Sequence, residues 1–122
     1  MKPYSELTKQ GKIRRLREVA LLACEQYDFS VKSLRFVAQQ FNTIFRVDTD
    51  DGRVFALRVH PPNMHDAQKI RSEMLFVDSL RTVEGIQAAY PVRNQHDQFV
   101  TSVNVASVPG THHVVLMDWL YG

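Results

Sequence analysis

Two side chains of opposite charge stand where apolar ones are expected. Between Arg53 and His60 the residues alternate, with Phe55, Leu57 and Val59 pointing one way and Val54, Ala56, Arg58 and His60 the other. Arg58 is therefore a cation in an otherwise fairly apolar strand, on the same side as the small Ala56. Further along, Ile70, Met74, Val77 and Leu80 recur at the spacing of an apolar helical arc, and Glu73 falls inside that arc. A lone glutamate at such an edge ordinarily snorkels to water. A desolvated, unpaired charge is costly, however, so the two misfits predict each other as a buried pair. A guanidinium fork suits a carboxylate, and Arg58 with Glu73 is the expected match.

The remaining candidates for chemistry are weaker. His112 and His113 are adjacent, so on a strand they point to opposite faces and chelate poorly together. His60 and His65 flank Pro61-Pro62 with no third ligand nearby in sequence. Cys24, the only cysteine, lies among helix apolars and reads as a small core residue. No catalytic constellation and no metal site is expected, and no glycine-rich Walker or dinucleotide pattern is present.

The elements that must position Arg58 and Glu73 follow from patterning. Thr8 offers a cap to a helix whose buried face is Ile13, Leu16, Ala20, Ala23, Cys24 and Tyr27. Asp28–Ser33 reads as a connection and Leu34–Ala38 as a short apolar run. Thr43–Thr49 and Arg53–His60 are strands of a hairpin about the Asp50-Asp51-Gly52 turn. Pro61-Pro62-Asn63 stops the second strand, and Asp66–Arg81 is helical. Beyond Gly85, Tyr90–Arg93, Phe99–Val105 and Val114–Trp119 read as three short strands, separated by Asn94–Gln98 and by Ala106–Thr111 with its Pro109-Gly110. The expected fold class is α+β: an antiparallel sheet of about five strands, an N-terminal helix, and one helix inserted after the third strand.

Length and charge narrow the function classes. A chain of 122 residues, 44% hydrophobic, supports one domain (1–122), with a helical segment over 1–33 and sheet plus helix over 34–122. The net charge of +2 does not call for a polyanion. Nucleic acid is therefore not an expected partner, and the Lys9–Arg17 basic cluster reads as a solvated helix flank. No apolar run approaches a membrane span. The basic residues before Val19–Cys24 superficially suggest a lipoprotein signal, but six apolar residues between Glu18 and Glu25 are too few. A cytoplasmic protein is expected.

The order of these residues resembles the N-terminal lobe of the aminoglycoside phosphotransferase/choline kinase superfamily, which has a protein-kinase-like fold. The likeness rests on Asn42-Thr43-Ile44-Phe45-Arg46-Val47, Asp51-Gly52-Arg53 with Ala56-Leu57-Arg58-Val59, Arg71-Ser72-Glu73, and the final Leu116-Met117-Asp118-Trp119-Leu120-Tyr121-Gly122. The resemblance implies an ATP-binding lobe. Arg58 takes the place of the cation that contacts the α/β-phosphates, and Glu73 that of the carboxylate orienting it. Ala56 lines the adenine pocket and Met117 packs behind the ring. The Asp118 carbonyl and the Leu120 amide face the adenine edge.

Two departures qualify that implication. The loop expected to close over the phosphates reads Gln39-Gln40-Phe41-Asn42, without the usual glycine. The superfamily's catalytic base and magnesium ligands belong to a C-terminal lobe, and none of the aspartates here sits in such a motif. Negligible kinase activity is therefore expected of this polypeptide alone, with ATP binding weak or dependent on that lobe and Mg2+ required only with it. The expected partners are nucleotide and either the missing lobe or a second copy, meeting an apolar face around Met117, Trp119, Leu120 and Tyr121. A non-catalytic protein-interaction module with the same shape is the alternative.

Overall fold

A computed structural model describes residue 3 and residues 7–39, 41–62, 66–85 and 88–120. The first helix, α1, runs over Lys9–Cys24, and the Thr8 hydroxyl accepts from the Gly11 amide at its start. Its buried residues, Leu16, Val19, Ala20, Ala23 and Cys24, repeat at three and four, so a single stripe meets the sheet.

Six strands follow: β1 (Val31–Gln39), β2 (Thr43–Thr49), β3 (Val54–Val59), β4 (Pro91–Val92), β5 (Thr101–Val105) and β6 (Val108–Asp118). The second helix, α2 (Ala67–Ser79), lies between β3 and β4 and continues into a 3-10 turn at Leu80–Thr82. The sheet order is β1-β2-β3-β6-β4, every pairing is antiparallel, and β5 also pairs with β6. This is the expected α+β arrangement, with one strand more than anticipated.

Both faces of the sheet carry a helix. Phe45, Val47, Phe55, Leu57, Val59, Val114 and Leu116 face α1 and form the larger core with its stripe. Tyr27 and Phe29 extend that core by stacking towards Phe55 at centroid distances of 5.9 and 5.3 Å. On the opposite face Ile70 and Met74 of α2 pack with Phe99, Val100, Val115 and Met117.

Two strands begin earlier than the sequence pattern indicates, while β4 and β5 are shorter. β1 starts at Val31 rather than Leu34, because ladder bonding to β2 recruits Ser33 and Val31 opposite Asp48 and Thr49. β6 starts at Val108, so Pro109-Gly110 lies inside a strand rather than in a loop. The pairing register of β5 with β6 shifts there, which accommodates residues that cannot follow a regular ladder. Gly110 has φ +88°, and a Cβ on it would lie 2.8 Å from the Pro62 side chain. Glycine is thus required by a close approach that only the folded chain creates.

Two buried polar groups have clear consequences. Burial pushes the Cys24 thiol up to about 12, which leaves it an inert core residue. His112 is almost wholly buried, and that burial lowers its pKa, with the backbone at His60 and Pro109 acting in the opposite sense. His113, on the other side of the strand, is hydrogen-bonded to Ser102 at 2.7 Å.

Leu57→Ala should destabilise the domain by about 3 kcal/mol in a urea titration, since it opens a cavity at the centre of the larger core. The histidine yields a pH test. In the unfolded chain the ring takes up a proton as pH falls through its ordinary 6.5, while the folded ring, its pKa lowered by burial, takes one up only at lower pH. Stability should therefore fall progressively below about pH 6.5. His112→Gln should flatten that decline, and an identical slope in the variant would refute the assignment.

Candidate functional site

The β2–β3 turn determines which side chains meet. Thr49 accepts from the Arg53 amide at 2.9 Å, Gly52 takes φ +87°, and the Asp51 carboxylate pairs with the Arg53 guanidinium at 2.8 Å. Closed this way, the hairpin sets Arg46 opposite Ala56 and Ile44 opposite Arg58. β6 adds Met117 opposite Ala56 and Val115 opposite Arg58. Two rows therefore cross one face of the sheet, Arg46–Ala56–Met117 and Ile44–Arg58–Val115, on the side opposite α1.

Along both rows cover thins in one direction. Met117 and Val115 are buried under the α2 cluster, whereas Ala56, Arg58, Ile44 and Arg46 are half-buried. α2 covers β6 and stops short of β3 and β2. The open part of the face thus presents a small residue, Ala56, beside a cation, Arg58, at the margin of an apolar wall. A flat apolar group with an attached anion could use such a surface.

The predicted buried pair is not formed. Glu73 is exposed, Arg58 is half-buried, and no ion pair joins them among the described residues. The reason is the narrowness of the α2 contact. Only Ile70 and Met74 are buried on this helix, and Glu73 stands about 60° round from Ile70 on the side away from Met74. Its carboxylate stays in water, so no desolvation has to be offset.

The other sequence-predicted positions are distributed as follows. Met117 is part of the buried cluster and Trp119 is half-buried, so the expected exposed apolar patch does not include Met117 and only partly includes Trp119. Leu120 is 56% exposed, and Tyr121 lies outside the described residues. Asp118 ends β6 opposite Phe55, and its amide donates to the Tyr90 carbonyl at 2.9 Å. At the β1–β2 turn Gln39 donates to Thr43 at 3.2 Å, and Phe41 is 79% exposed. Among the described residues no group of three or more His, Cys, Asp or Glu side chains could hold a metal ion. No described helix is long and apolar enough to cross a membrane.

A further cluster on the same face escaped the sequence reading. Arg46 donates to Asp48 at 3.1 Å, and its guanidinium lies 5.2 Å from the centroid of the Trp119 ring. Arg35 and Ser33 also donate to Asp48. These donors hold its carboxyl below the usual range, Arg46 foremost. The signal was available in the turn, because pairing about Asp51 places residue 46 opposite residue 56.

Similarity to solved structures accords with this geometry. An aminopropanol kinase associated with a microcompartment superposes with a TM-score of 0.74 and 27% identity over 85% of this chain and 31% of its own. An amicoumacin kinase in complex with AMP-PNP and Ca2+ superposes with a TM-score of 0.75 and 20% identity over 95% of this chain and 34% of its own. The fold is that of the N-terminal lobe of an aminoglycoside phosphotransferase-type kinase. The chain spans about a third of the length of these two kinases. No family model and no curated protein sequence matches it.

Because Glu73 is solvated and unpaired here, Glu73→Ala should change unfolding free energy by no more than about 0.5 kcal/mol. An unfolding free energy from denaturant titration lowered by several times that amount would argue for the buried pair after all.

Proposed function

We propose that this chain is the nucleotide-binding lobe of a small-molecule phosphotransferase. What supports the reading above all is the row of Ala56 and Met117 beside the half-buried Arg58, on a lobe shaped like that of a kinase solved in complex with AMP-PNP. Adenine would lie against Ala56, with Met117 behind it, and the Asp118 carbonyl and Leu120 amide would pair with its edge. Arg58, which has no counter-ion among the described residues, would meet the phosphates with the paired N–H donors of its guanidinium fork.

Phosphoryl transfer also requires a bound metal, an oriented hydroxyl and a second wall to the cleft. We assign those to a catalytic lobe that docks against this one, in the cytoplasm where ATP is supplied; in its absence the hinge-side apolar face around Trp119 and Leu120 would be covered by a second copy. Mg2+ belongs to that completed site. The chain alone then binds nucleotide weakly and turns over negligibly. Leu75 and Phe76, exposed on α2 (Phe76 by 67%), favour a second reading, a non-catalytic interaction module.

The two readings separate in a thermal-shift titration. At ten times its Kd, Mg-ATP adds about 1.4 kcal/mol of stability, roughly 3–8 °C for a domain of this size. Arg58→Ala should abolish the shift, and ATP hydrolysis by the purified chain should stay at background. No shift in the wild-type protein, together with association that grows with concentration by light scattering, would favour the interaction module. Turnover lost in Arg58→Ala would show instead that the lobe is catalytic by itself.

A further inference from the structure

The Arg46 guanidinium is held in an expensive position. Its Nε is buried with no hydrogen-bond partner, and a buried donor left unmade is rare in folded proteins. An aliphatic residue could pack against the Trp119 ring there without leaving a donor unsatisfied. Placing arginine on this face therefore calls for a reason beyond packing.

Its neighbours supply one. Across the ladder Arg46 is paired with Ala56, which is paired in turn with Met117. Asp48 grips one end of the guanidinium, and its central carbon lies over the ring of Trp119, one residue past the end of β6. Trp119 sits between Asp118 and Leu120, whose backbone groups are assigned above to the adenine edge. A cation over an indole is attracted by the ring's negative face. Beyond Asp118 the chain has left the β3–β6 ladder, so this contact ties residues 118–120 to β2.

We propose that Arg46 is a positioning residue for base recognition: clamped by Asp48, it stacks on Trp119 and sets the direction in which the 118–120 backbone presents its hydrogen-bonding groups. This rests on the nucleotide-binding reading above. Arg46 then governs the base end of the ligand, and Arg58, one row away across the sheet, governs the phosphate end.

The two ends can be probed separately. Trp119 is the only tryptophan, so its emission reports on the contact directly. In Arg46→Met without ligand the emission should move and its quenching by acrylamide should change. By calorimetry Arg46→Met should weaken Mg-ATP roughly tenfold while leaving tripolyphosphate unchanged. Arg46→Lys keeps the charge but loses the planar fork, and should fall between the two. The proposal is overturned by unaltered emission, by unaltered or improved ATP affinity, or by parallel losses for both ligands. If Arg46→Met fails to fold, Arg46→Lys carries the test, and unchanged ATP affinity in it is equally fatal. Wild-type protein that binds tripolyphosphate but not ATP defeats this inference and leaves the role of Arg58 standing. Binding of neither ligand defeats the nucleotide reading itself, and the role of Arg46 with it.

Discussion

The period-two alternation of β2 and β3, locked by the Asp50-Asp51-Gly52 turn, is the constraint on which the rest depends. A slip of one residue would exchange the two faces of the hairpin. Phe45, Val47, Leu57 and Val59 would then leave the α1 core, and Arg46 and Arg58 would enter it. Thr49 and Asp51 hold the turn through the Arg53 amide and guanidinium, so the register is secured by a few polar contacts at the hairpin end. The apolar face then makes that register far more stable than its alternatives.

From this follows a sheet with two unequal sides. The α1 side is sealed, and its side chains need only match in volume. The other side is half covered, because α2 contributes two buried residues and reaches only β6 and its neighbours. The open half is where charge is tolerated. Arg46, Arg58 and Asp48 occupy the uncovered strands, while the row ends under α2 are Met117 and Val115. Partial burial leaves a cation strong enough to attract an anion and exposed enough to reach one.

Glu73 illustrates how a sound argument about burial can fail by geometry. The apolar arc of α2 was real, but the contact stripe was narrower than the arc. Helical periodicity states which residues share a side and is silent on how closely that side approaches a neighbour. Gly110 is the converse case. Beside Pro109 it suggested a loop, yet it lies within β6, where the shifted pairing with β5 takes it in and the approach of Pro62 from a distant segment leaves no room for a side chain.

The sequence by itself determined the hairpin about its Asp50-Asp51-Gly52 turn, the two helices and the cap of the first, the α+β class, and the sharing of one strand face by Ala56 and Arg58. These are consequences of local spacing, turn chemistry and alternation, all short-range along the chain. Only the tertiary structure decided that Glu73 stands in water, that β6 runs through Pro109-Gly110, and that Arg46 meets Trp119. Each of those depends on how near two remote segments come to one another, a distance set by the packing of the whole sheet and its helices.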